Sequence, residues 1–187
     1  MNGWVLQKNA TLLMKTLLRF GKVLAVTACL LGMAARAGDK PTPAETAFER
    51  LKGLAGEWHG HIGDREKGPT ATVLYRTTAA GHTVMETLFP GTSHEMITMY
   101  HLEESKLVLT HYCAAGNQPR MALTKKSTAD LLDFNFIGGA NISSRRDGHM
   151  HAARIRFEGR DSLATEWDYF QDGKKTDTKK FFLKRKS

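Results

Sequence analysis

The segment THYCAAGNQPR, residues 110–120, gathers several side chains that could do chemistry. His111 and Cys113 are two apart in a strand-like run, which sets both on one face with Cα atoms about 6–7 Å apart. An imidazole at that distance can meet a thiol, and Asn117 could orient the ring, giving a Cys-His-Asn nucleophile set. A catalytic thiolate, however, usually gains help from a helix N-terminus or a fixed cation. A strand end offers no helix, and Arg120 is the cation at hand. No catalysis is therefore expected, and Cys113 reads as a buried cysteine near a pocket. Gly116 and Asn117 tolerate positive φ and Pro119 stiffens the exit, so the same stretch also has the composition of a well-specified turn. Gln118 and Arg120, at its far side, could reach over to an acidic or carbonyl group of a ligand.

A second group lies further on. His149-Met150-His151 places two imidazoles on one side of a strand. Facing His111 and Cys113 across a barrel, they could complete a three- or four-ligand zinc or copper site. Such pairs are common in strands and mostly unliganded, so no metal ligand is assigned and the cofactor is left open. His59 and His61 form a similar pair on the face opposite Trp58, which puts them on the surface. Glu86, in VMETLF, would be costly if buried without a partner. An inward Glu86 paired with Arg120 or a histidine would mark a pocket, whereas an outward one would mean nothing.

The elements that must position these residues follow from patterning. Residues 1–37 read as a secretory signal: Lys15, Arg19 and Lys22, then apolar Val23 to Ala34, then Ala35-Arg36-Ala37. Met14 could serve as the start in place of Met1, and the residues before Cys29 offer a competing lipoprotein site. The apolar run is shorter than the roughly 20 residues that span a bilayer, so no transmembrane segment is expected in the mature chain. Cleavage after Ala37 would remove five basic residues and no acid, taking the formal charge from +8 to +3 and leaving Cys113 without a second cysteine. No nucleic-acid partner is expected from so small a surplus: the basic tail KKTDTKKFFLKRKS mostly alternates, like the wet face of a strand.

Thr42-Pro43-Ala44-Glu45 is a capping box with proline at the first helical position, and Phe48, Leu51 and Leu54 make one apolar stripe. A short helix is predicted within residues 39–54. From Gly56 the period changes to two, with strands predicted at 56–62, 70–79, 82–89, 94–102, 106–113, 120–127, 130–137, 149–158, 162–170 and 176–185. Residues 138–148 form the one long gap. Short connections make neighbours antiparallel, and ten such strands are best closed into an up-and-down barrel, which removes exposed edges; a two-sheet sandwich is the alternative. Alternation turns Trp58, Leu107, Leu109, His111, Leu132, Phe134, Phe136, Ile155, Trp167, Phe181 and Leu183 inward. It carries Cys113, His149 and His151 to the same face, towards one end. The strands at 82–89 and 94–102 stay ambiguous, because both faces mix Met, Thr, His and Glu.

Gly56-Glu57-Trp58 opens the first strand after a short helix, and Arg185 ends the last. In these features the chain resembles the calycin superfamily of lipocalins and fatty-acid-binding proteins. There, a G-x-W tryptophan sits at the closed end of the barrel beneath an arginine from the last strand. In its ten strands and lack of a C-terminal helix it is most similar to nitrobindin-type barrels and exported lipocalin-like domains. The resemblance covers roughly residues 45–185. It implies a hydrophobic or planar ligand and, for nitrobindins, a haem held by a histidine near the C-terminal strands, where this chain has none after His151.

The expectation is thus an all-β protein. It has a signal at residues 1–37 and a ten-stranded lipocalin-like barrel with a short N-terminal helix at 38–187, periplasmic or secreted. It would bind a small, largely apolar molecule, with His111, Cys113, Gln118, Arg120, Phe136, His149, His151 and Trp167 at the ligand and Gly56, Trp58 and Arg185 as the structural pair. The alternative is a haem- or metal-binding barrel using the same His/Cys-rich mouth for redox or isomerase chemistry.

Overall fold

A computed structural model of the protein describes residues 40–187; the predicted signal and the alternative starts lie outside the described residues. Helix α1, Pro43–Lys52, begins at the predicted capping box: Thr42 accepts from the Glu45 amide, and the Glu45 carboxylate accepts from the Thr42 amide at 2.7 Å. Gly53 ends it, and its buried stripe is Ala44, Ala47, Phe48 and Leu51.

Ten strands follow: β1 Gly56–Ile62, β2 Thr70–Thr78, β3 Thr83–Leu88, β4 Met96–Glu103 and β5 Lys106–Tyr112, then β6 Gln118–Leu123, β7 Leu131–Ala140, β8 His149–Phe157, β9 Ser162–Gln171 and β10 Lys174–Arg185. Each pairs antiparallel with its sequence neighbours, and β10 closes on β1. The up-and-down barrel is therefore complete and leaves no edge. The expected ten strands are present. The long gap is shorter than expected, because β7 runs on to Ala140 and leaves only 141–148 outside it. No described helix is long and apolar enough to cross a membrane.

Up-and-down order sorts the connections to two ends. One end carries α1, which packs against β2, β4 and β5. There Phe48 and Leu51 join Leu107, Leu132 and Leu163 in the core. Trp58 is buried at this end and donates its indole N–H to the Leu54 carbonyl at 2.8 Å. The Arg185 guanidinium lies 4.4 Å from the Trp58 ring centroid and also donates to the carbonyls of Gly53 and Ala55. Gly56, at φ +129°, leaves room for it: a Cβ there would sit 3.2 Å from Arg185 Nη1. Arginine and tryptophan thus seal the helix-capped end, a geometry compatible with a calycin-like fold.

The other end carries the loops after β1, β3, β5, β7 and β9, including the segment 113–117. The helix leaves this end open.

Candidate functional site

Between the core and the open end lies a cavity of about 380 Å³. Its wall is mainly Ile62, Leu88, Phe89, Met96, Met150 and Phe181, with His111 and Trp167 among them and Lys179 also lining it. The volume lies in the range of small-molecule sites, about 300–1,000 Å³. Among the described residues there are also larger hollows, including one of about 740 Å³ lined by His59, His61, Arg65 and Lys184 and one of about 790 Å³ beside α1. The smaller cavity is the candidate, because buried polar atoms without partners belong to two of its lining residues: His111 Nε2 and Trp167 Nε1. A third such atom, Thr165 Oγ1, lies two residues before Trp167 on β9. Buried polar groups without partners are rare in a folded chain and call for a physical reason, of which a bound group is one.

His111 owes its position to β5, where it follows Leu107 and Leu109 on the inner face and is 1 % exposed. Its Nδ1 meets Thr98 Oγ1 at 2.9 Å, and its ring stands 4.7 Å from that of Trp167. Burial holds the imidazole pKa down to about 4, so the ring is neutral near neutral pH. Behind Thr98 lies a row that crosses four strands at one level: Tyr75, Glu86, Thr98 and His111 are successive cross-strand partners from β2 to β5. Glu86 is 1 % exposed. The Tyr75 hydroxyl donates to its Oε1 at 2.8 Å and the Tyr100 hydroxyl to its Oε2 at 2.7 Å. Burial pushes the Glu86 carboxyl pKa up, opposed by hydrogen bonds from Tyr100, Tyr75 and Thr98. Burial together with Glu86 pushes both tyrosine hydroxyls well above their usual range.

The ambiguous strands β3 and β4 are therefore resolved. Val84, Glu86 and Leu88 face in, as do Met96, Thr98 and Tyr100. Glu86 is inward, as a pocket marker would be, but its partners are tyrosines rather than Arg120 or a histidine.

Trp167 lies where alternation predicts, inside and at the cavity. His149 and His151 do not line it. The register runs from Ala152 opposite Asp168 to Met150 opposite Tyr169, so His151 is the extra residue of a β-bulge. Above the bulge the period of two is broken, and Met150 takes the cavity side. The two histidines instead form an aromatic cluster with Phe136 and Phe170. His149 Nε2 meets His151 Nδ1 at 2.9 Å, Phe136 lies 4.3 Å from the His149 ring, and Phe170 stacks 4.0 Å from that of His151. The Asp147 carbonyl, 2.6 Å from His149 Nδ1, fixes the proton there and leaves Nε2 to accept from His151. Desolvation, together with the neighbouring His149, lowers the His151 pKa. Phe136 belongs to this cluster rather than to the cavity wall.

The 113–117 loop lies at the open end without joining His111. Cys113 is half-buried, and its backbone pairs with Asn117 and Gly116 across the turn. Asn117 donates to the Gly148 carbonyl at 2.7 Å and Asn141 to the Gly116 carbonyl at 2.9 Å, tying this loop to the one after β7. Gly116 sits at φ +82°, which its lack of a Cβ permits. The Cys-His-Asn set is thus not assembled: Thr98 occupies His111 Nδ1 and Asn117 holds a neighbouring loop. Gln118 belongs to the same loop lattice through Asn141. Arg120 pairs with Glu103 and lies opposite Thr110, on the face away from His111. Among the described residues, no group of three or more His, Cys, Asp or Glu side chains is placed to hold a metal ion. Pattern alone did not pick out Tyr75, Thr98 and Tyr100 as site residues, and it marked Glu86 only on condition that it face inward. The available signal was the polar character of both faces of β3 and β4.

No protein-family model matches the chain. No curated protein matches it either.

Proposed function

We propose that this protein is an exported, lipocalin-like carrier of the nitrobindin-type group that holds a small, largely apolar molecule in the open end of its barrel. One observation carries the reading: a fully buried, neutral imidazole with an unpartnered Nε2 belongs to a residue lining a mainly apolar 380 Å³ cavity, which Trp167 and Lys179 also line. The apolar walls supply contact area, and the methionines Met96 and Met150 give it adaptability. His111 and Trp167 supply the few polar anchors such sites use to orient a ligand. The arginine-sealed Trp58 supports the calycin-type relationship, and the apolar run ending in Ala35-Arg36-Ala37 supports export.

A second reading, a haem- or metal-binding barrel with redox or isomerase activity, is favoured by that same nitrogen, since a free imidazole Nε2 is also an axial-ligand donor. Native mass spectrometry of the protein recovered from the exported fraction, without added ligand, tests both. A chain beginning at Gly38 with an added organic mass is the expected result. A haem or metal mass favours the second reading. A bare chain that also fails to take up an apolar fluorescent probe would overturn the carrier reading.

A further inference from the structure

The cavity at the open end is small and carries its one charge at a single place, and both properties narrow what it can hold. Its volume of about 380 Å³, filled at the interior packing density of about 0.74, has room for on the order of fifteen non-hydrogen atoms. Its wall is rich in rings. Phe89 and Phe181 stand 5.9 Å apart, the rings of Trp167 and His111 stand 4.7 Å apart, and Met96 and Met150 line the same space. Such rings pack a further ring at tilted or offset angles, and thioethers favour aromatic neighbours. A rigid ring also loses less freedom on binding than a flexible chain of similar size. These contacts hold whichever nitrogen of His111 carries the hydrogen.

Lys179 supplies the charge. It lies two residues from Phe181 on β10, on the side of the open end, and opposite Trp167 of β9. Among the described residues that line the cavity it alone is charged near neutral pH, since burial keeps His111 neutral there and no carboxylate lines it. Its ammonium meets Asp177 Oδ2 at 2.8 Å, but both side chains are about half exposed, at 55 % and 48 %. A pair so open to water contributes little, and an ammonium has three donors, so Lys179 can take a second anion at the rim. We infer that the cavity takes a small mono- or bicyclic aromatic acid, its rings seated among Phe89, Phe181, Trp167 and the two methionines and its carboxylate on the Lys179 ammonium. This rests on the carrier reading above and names the ligand class. A cationic ligand would set like charge against Lys179.

Calorimetric titrations at low salt compare 2-naphthoate with uncharged 2-naphthamide, cationic 2-naphthylmethylamine and flexible decanoate. The naphthoate is expected to bind roughly two- to fivefold tighter than the amide, the worth of one ion pair at a half-exposed lysine. That gap should shrink as salt is added. Equal affinity of acid and amide, or tighter binding of the amine, overturns the proposal and leaves the carrier reading standing. Decanoate binding as tightly as the naphthoate overturns the aromatic class. Failure of all four overturns the proposal alone if an apolar fluorescent probe is still taken up, and overturns the carrier reading with it if the probe fails too.

Two variants at the rim locate the carboxylate. Lys179→Met keeps an unbranched side chain and removes the charge, so it should bring the acid to the affinity of the amide. An undiminished preference there would overturn the role given to Lys179. Asp177→Asn takes away the ammonium's present partner and a carboxylate that repels the ligand's own. It should widen the preference for the acid, and a narrowed preference would overturn the proposal.

Discussion

Lowering the pH should destabilise the protein through His111 in a way a single substitution isolates. The ring is 1 % exposed, and burial alone lowers its pKa from 6.5 to about 4. As pH falls below about 6.5 the unfolded chain binds this proton first, so the contribution is fully present above that value and is lost between it and about 4. The loss reaches about 2 kcal/mol near pH 5 and about 3 kcal/mol near pH 4, set against a total stability of about 5–15 kcal/mol for a typical domain. His111→Gln keeps a hydrogen-bonding partner for Thr98 and removes the titration. Urea unfolding at a series of pH values, for the protein and this variant, gives the term as the difference between two curves. Carboxylates such as Asp168, held below their usual range against burial by Thr178 and Arg154, contribute to both curves and cancel. A difference that stays flat from about pH 7 to pH 4 would refute the reasoning, since it would mean the protonated ring finds water or a partner inside the barrel.

Two further expectations concern the closed end and the polar row. Arg185→Met removes the cation over Trp58 and the donors to the Gly53 and Ala55 carbonyls. It should cost about 2–3 kcal/mol in urea unfolding and leave binding at the far end unchanged. Tyr75→Phe takes away the hydroxyl that satisfies Glu86 Oε1. It should cost about 1–3 kcal/mol, whereas an exposed Tyr112→Phe, measured alongside, should be nearly neutral.

Much of the fold was legible because it rests on local rules. The capping box placed α1 within a few residues, and the shift from a helical to a two-residue period at Gly56 predicted all ten strands. Ends were less legible. β6 starts two residues early at Gln118, and β7 continues to Ala140, since pairing with β6 rather than apolar pattern holds Gly138 to Ala140 in the sheet. The site was legible in part: His111 and Trp167 follow from alternation anchored on the leucines and aromatics beside them. His149 and His151 stand apart from this cavity for a definite reason. Face assignment carries outward from Ile155 only while the register is unbroken, and one bulge residue cancels it.

By itself, the sequence determined the class, the strand count, the closed end and the inner face wherever that face is apolar, because hydrophobic alternation is a local record of burial. The tertiary structure alone decided the polar row. Glu86, Thr98 and Tyr100 sit on strands whose faces alternation leaves ambiguous, until closure of the barrel places each beside its partner from another strand. A buried polar group is stable only through groups that are distant in sequence, so its burial cannot be read from its own neighbourhood.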